Sequence, residues 1–226
     1  MNTDVKVLEN ENVETYFKAK SKVYKGIKRT FDITCAIVGL IFLIPIMIII
    51  KLANMLSGDF HSIFYTHMRY GLNGKEFKFY KFRSMLVDSE DILSNTLKMD
   101  PIAAEEYKRT KKLKNDPRIT KVGKFIRKTS IDELPQLINV LKGDMSIIGN
   151  RPYMPREKAD MGESFDEIVK TKPGITGYWQ VNGRSDTTFE ERLELEKYYS
   201  NHAGLKLDIK IFFKTFAVVL LKKGAE

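Results

Sequence analysis

DPRITKVGKFIRKTSIDELPQLINVLKGDMSIIGNRP, residues 116–152, sets two adjacent acids, Asp132 and Glu133, directly downstream of a cationic field. From Lys108 to Lys128 there are ten Lys or Arg and one acid, Asp116. A field of this density suits phosphate. Leu134, Leu137, Ile138 and Leu141 recur at helical spacing and Gly143 follows as a stop, which predicts a short amphipathic helix. Asp132 is then expected as its N-cap, with Pro135 in the first turn. Alternatively, Ser130 and Glu133 form a capping box. In a third reading the acids do chemistry. Neighbours on a helix point about 100° apart, so one carboxylate is free to attack phosphorus while the other holds a metal ion. Local residue types leave these accounts open.

Working outward, the run FIRKTSIDELPQLINVLKGDMSIIG is preceded by KFYKFRSM (78–85) and followed by KPGITGYWQVNGR (172–184). Together these resemble the bacterial sugar transferases, polyprenyl-phosphate phosphoglycosyl transferases of the monotopic type, over roughly Lys28 to Lys223. The resemblance implies transfer of sugar 1-phosphate from a UDP-sugar to polyprenyl (undecaprenyl) phosphate, with release of UMP, as the first membrane step in building an exopolysaccharide, capsule or other glycoconjugate. It implies Asp132 as the nucleophile, forming a phosphosugar-aspartate, and Glu133 as the holder of Mg²⁺. Where that family commonly reads Gly-Pro-Arg-Pro, this chain has Gly149, Asn150, Arg151 and Pro152.

Upstream, Ile33 to Ile50 is a run of 18 residues without a charge, about 27 Å as a straight helix against a hydrocarbon core of about 30 Å. Lys18 to Arg29 lie before it, and Lys51 and the basic body after it, so a simple span puts a basic flank outside in either orientation. A re-entrant helix bent near Pro45 satisfies both flanks. The resemblance points the same way, although Ile44 precedes Pro45 where serine is frequent in the family. Asp32, one turn after Lys28 and Arg29, is expected to pair with them. The first 15 or so residues show no periodic apolar face and read as a tail. They also lack the basic start, apolar core and cleavage site of a signal peptide, so export is not expected.

Between the two regions, Asn73-Gly74 predicts a turn between short extended pieces. Within KFYKFRSM, cations are interleaved with aromatics without clean alternation, as at a lipid interface; the resemblance places Lys81 and Arg83 near substrate phosphates. Residues 86–114 read as two solvated helices divided at Asp100-Pro101. In ITKVGKFIRKT, Val122, Phe125 and Ile126 share one face and Lys121, Lys124 and Lys128 another, the pattern of an interfacial basic helix. Arg127 is the first candidate for a phosphate clamp, because a guanidinium binds phosphate oxygens in pairs. Arg151 is expected to act with it.

Downstream, Lys172 to Gly177 reads as a loop from its Pro and Gly. Tyr178 to Arg184 offers a stacking surface, amides and another guanidinium, so Gln180, Asn182 and Arg184 are candidate contacts for nucleotide or sugar. Leu205 to Lys223 carries an apolar stripe beside Lys206, Lys210 and Lys214, which suits a helix lying in the interface or packed on the core.

The formal charge of +9 calls for an anionic partner without choosing among nucleic acid, lipid and phosphorylated substrate. The single cysteine, Cys35, excludes an internal disulfide, and His61, His67 and His202 show no ligand spacing. With the resemblance, the expected fold is α+β and mostly helical. It has an N-terminal tail (1–26), a re-entrant membrane helix (27–56), and a cytoplasmic catalytic domain (57–226) with a short β-hairpin and interfacial amphipathic helices. The expected partners are UDP-sugar, polyprenyl phosphate, membrane lipid and Mg²⁺, with no nucleic acid; a homodimer is left open. The expected place is the cytoplasmic face of the bacterial membrane, in one leaflet. Two rivals remain: a membrane-tethered basic binding protein without catalysis, and a glycosyltransferase that releases UDP.

Overall fold

The computed structural model describes residues 3–110, 113–183 and 187–220. In chain order the elements are α1 (Thr3–Leu56), β1 (Phe64–Tyr70), β2 (Glu76–Phe82), α2 (Ser89–Met99), α3 (Pro101–Thr110), α4 (Lys121–Lys128) and α5 (Gln136–Lys142). They continue with β3 (Ser146–Ile148), α6 (Lys158–Met161), α7 (Ser164–Ile168), β4 (Gly174–Thr176), α8 (Tyr178–Asn182), α9 (Phe189–His202) and α10 (Leu205–Leu220). The fold is mostly helical with two small sheets, β1-β2 and β3-β4. The chain forms two compact units, one of residues 1–38, 68–77 and 137–224, the other built on 39–67 and 78–136.

Helix α1 runs on through Pro45, and it is long and apolar enough to cross a membrane. It reaches back to Thr3, so the segment expected as a tail is helical. Along the apolar run Ala36, Leu43 and Ile50 recur at heptad spacing and are buried. Ile37, Ile41, Phe42, Ile44, Ile48 and Ile49 are exposed on the remainder of the surface.

In the first unit, Asp32 does not form the expected pair with Lys28. Its carboxylate accepts from the Ser146 hydroxyl and the Ile147 N–H instead. Lys28 pairs with Asp208 at 2.6 Å, and Arg29 donates to the carbonyls of Val140 and Leu141 at the end of α5, where a cation complements the helix dipole. Strands β3 and β4 run parallel, with Ser146 opposite Gly174 and Ile148 opposite Thr176. The glycines of the predicted loop have a steric reason: a Cβ at Gly174 would stand 2.1 Å from Gly149 N, and one at Gly177 2.0 Å from Gly149 O. Tyr178 to Asn182, expected as loop, is the helix α8. Local side-chain chemistry did not signal that helix, because its five residues are too few to show a period. Ile148, Val181, Tyr199 and Ile211 form the core that gathers β3, α8, α9 and α10.

In the second unit, Leu43, Ile50, Phe82 and Ile126 form a core joined by Ile131 and Leu134. The predicted division at Asp100-Pro101 is present: the Asp100 carboxylate caps the start of α3 through the N–H groups of Ile102 and Ala103. Between the strands the chain turns through Leu72–Gly74, with Asn73 and Gly74 at positive φ, as their residue types foretold.

Candidate active site

The acid pair does not start a helix. After α4 the backbone reverses at Ser130, whose φ of 56° is left-handed, and Ile131–Glu133 form one turn of 3-10 helix. Helix α5 begins only at Gln136, and the Ser130 side chain makes no capping bond. The expected N-cap at Asp132 and the alternative capping box are therefore both corrected. Tertiary packing overrides the local signal: Ile131 and Leu134 join the core with Phe82 and Ile126, which fixes the turn between them.

That packing buries Asp132, whose side chain keeps 12% exposure, while the Glu133 side chain keeps 43%. Strand β2 supplies Lys81, which lies beside both. Its ammonium donates to Glu133 Oε1 at 2.7 Å and lies 3.6 Å from Asp132 Oδ2. Burial holds the Asp132 carboxyl above the usual carboxylate range; Lys81 beside it opposes that shift, Glu133 adds to it, and Arg127 opposes it. The result is a nucleophile candidate that is poorly hydrated yet faces two cations.

Arg127 stands on the last turn of α4 and donates from Nε to Ser84 Oγ at 2.7 Å. The preceding residue of that segment, Arg83, is held differently. Its guanidinium donates to both oxygens of Asp59 at 2.9 and 2.8 Å and to the carbonyls of Ser62 and Met85. The resemblance also implies a magnesium ion. Among the described residues no group of three His, Cys, Asp or Glu could cage one. A half-exposed Glu133 next to a buried Asp132 fits the other mode, in which one or two carboxylates hold Mg²⁺ and phosphate oxygens with water complete its shell.

In the first unit Arg151 is placed beside Trp179. The Arg151 guanidinium lies 5.9 Å from the Trp179 ring centre and that of Arg192 4.9 Å, within cation-π range. The Arg151 N–H donates to both oxygens of Glu196, at 3.2 and 3.1 Å. Glu196 is fully buried, which pushes its carboxyl up to about 8. The Asn182 amide is engaged, donating to Tyr178 O and accepting from Lys214. Gln180 is on α8 beside it, and Arg184 lies outside the described residues. Asn150 uses its amide where a proline could not, donating to Ile168 O, Thr171 Oγ1 and Ser200 Oγ. Sequence reasoning missed Arg192 and Glu196, and it passed over Ser84 beside the candidate Arg83.

A family model described as bacterial sugar transferase matches residues 23–222. The undecaprenyl-phosphate galactose phosphotransferase of Salmonella typhimurium is 49% identical over 199 residues, covering 88% of this chain and 41% of the relative. The exopolysaccharide production protein ExoY of Sinorhizobium fredii is 40% identical over 198 residues, covering 88% and 87%. The UDP-glucose:undecaprenyl-phosphate glucose-1-phosphate transferase of Escherichia coli is 38% identical over 221 residues, covering 94% and 44%. The chain thus spans less than half the length of several curated relatives that it matches.

Proposed function

The chain belongs to the bacterial sugar transferase family, and we propose that it moves sugar 1-phosphate from a UDP-sugar to undecaprenyl phosphate. The observation that carries this reading is the buried Asp132 with Lys81 lying between it and Glu133. A carboxylate kept from water, with cations to hold it ionised, is suited to attack phosphorus.

In this mechanism an Asp132 oxygen attacks the β-phosphorus of the UDP-sugar. The bond from that phosphorus to the bridging oxygen breaks, and UMP leaves. A phosphate oxygen of the lipid then attacks the phosphosugar-aspartate, frees the Asp132 carboxylate, and yields the sugar diphospholipid. Arg127 and Lys81 neutralise oxygens on the transferring group. Arg83 would reach a phosphate only by exchanging Asp59 for it. Magnesium held at Glu133 would supply charge stabilisation for the UMP phosphate as it leaves. Arg151 is kept as a candidate for the transferring phosphoryl group, and Gln180, Asn182 and Arg184 as candidates for the nucleotide or sugar.

The proposed setting is the cytoplasmic face of a bacterial membrane, with α1 entering and leaving one leaflet. The exposed apolar surface of α1 and its basic flanks support that placement. The test is incubation of the full chain in detergent with a panel of UDP-sugars and undecaprenyl phosphate. UMP release that disappears in Asp132→Asn, with an aspartyl adduct in quenched intact-protein mass spectra, is the expected result. Undiminished turnover in Asp132→Asn sinks the mechanism, and release of UDP points to a glycosyltransferase instead.

A further inference from the structure

Ser84 is buried, and its surroundings are pinned from several sides. Just before it, Arg83 N–H donates to Ile63 O at 2.7 Å. Its own carbonyl accepts from Thr120 N–H at 3.1 Å, Met85 pairs antiparallel with Ile119, and Leu86 N–H donates to Arg118 O at 2.9 Å. Helix α4 crosses so close that a Cβ at Gly123 would stand 2.0 Å from Ser84 O. Residue 123 has no room for a side chain there. The hydroxyl of Ser84 reaches Arg127 and accepts from Nε at 2.7 Å.

That bond takes the single guanidinium N–H that points back along the arginine side chain. The two terminal nitrogens form a fork that has no partner among the described residues. Arg127 is exposed on α4, where an untethered arginine samples many rotamers and loses that freedom on meeting a ligand. Its charge is nonetheless felt at Asp132 and at Asp116, and Asp116 is already paired with Arg118 at 2.6 Å. The tether therefore aims a charge that the nearest acids do not capture.

We propose that Ser84 is a positioning residue, whose hydroxyl fixes the Arg127 guanidinium so that both terminal nitrogens meet two oxygens of a diphosphate ester. The inference rests on Arg127 being the phosphate clamp of the proposed function. It adds a residue that touches no substrate and acts only through Arg127.

The experiment is a double-mutant cycle on the full chain in detergent, with kcat and KM for UMP release from UDP-galactose or UDP-glucose, affinity for UDP, and melting temperature. Ser84→Ala is expected to lower kcat/KM by about three- to tenfold at an unchanged melting temperature. Arg127→Ala is expected to lower it further. Ser84→Ala added to Arg127→Ala, or to Arg127→Lys, which lacks Nε, is expected to cost nothing more. If Ser84→Ala unfolds the chain, Ser84→Cys keeps the volume and weakens the acceptor, and it enters the same cycle. Losses from Ser84 and Arg127 that simply multiply overturn the inference, as does a Ser84 variant with full activity where Arg127→Ala is impaired. Full activity and UDP affinity in Arg127→Ala removes the clamp itself, and the positioning role with it.

Discussion

Lys81 Nζ donates to Glu133 Oε1 at 2.7 Å, so the cation of the site is already bonded to the carboxylate proposed to hold the metal. The same ammonium lies 3.6 Å from Asp132 and opposes the rise that burial imposes on its carboxyl. Loss of Lys81 therefore raises the Asp132 pKa further, and a nucleophile must be ionised. Lys81→Met is expected to move the acid limb of the kcat/KM profile to higher pH and to lower the plateau by about ten- to a hundredfold. The pH profile of UMP release checks both; an acid limb that stays in place removes Lys81 from control of Asp132.

The Lys81 to Glu133 bond also sets a competition. An ammonium and a divalent cation want the same oxygen, so removing the ammonium favours the metal. Mn²⁺, titrated onto the full chain and followed by electron paramagnetic resonance, is expected to bind about threefold or more tightly to Lys81→Met. Binding is expected to vanish in Glu133→Gln. Unchanged binding in Glu133→Gln places the metal elsewhere.

Glu196 ties the stability of the fold to pH. Its carboxyl is pushed from 4.5 to about 8 by burial, so the folded chain holds that proton more tightly than the unfolded chain does. The stabilisation is complete below about 4.5 and is lost as pH rises towards about 8, with a slope of at most about 1.4 kcal/mol per pH unit. Glu196→Gln keeps an acceptor for the Arg151 N–H without the ionisation. Melting temperatures across that window are expected to fall for the parent chain and to stay flat for Glu196→Gln.

These residues show what the sequence made legible. The helices with a clear apolar period, α4 and α10, and the turn at Asn73-Gly74 follow from side-chain pattern alone. The local geometry of the acid pair was not legible, because Ile131 and Leu134 draw the turn into a core whose other members lie far away in sequence. Lys81 was singled out through the resemblance; that it lies beside both acids depends on where β2 passes, which no local pattern records. Glu196 stayed hidden for a related reason: an acid on a helix looks solvated until its neighbours in space are known.

The two flanks of α1 report its path through the membrane. Basic residues flank the apolar run on both sides, Lys28 and Arg29 before it and Lys51 after it. A straight crossing would carry one basic flank to the far side, against the positive-inside tendency. Return to the starting side needs the helix to bend within the membrane, and Pro45, which removes one backbone bond, is the residue able to permit it. With Cys35→Ala as the parent, Ser21→Cys and Ser57→Cys report the two flanks, since both positions are exposed. An impermeant maleimide is expected to label both in inverted membrane vesicles and neither in intact spheroplasts. One flank labelled from each side means a span, and the proposal that Asp132 works beside a helix confined to one leaflet then fails.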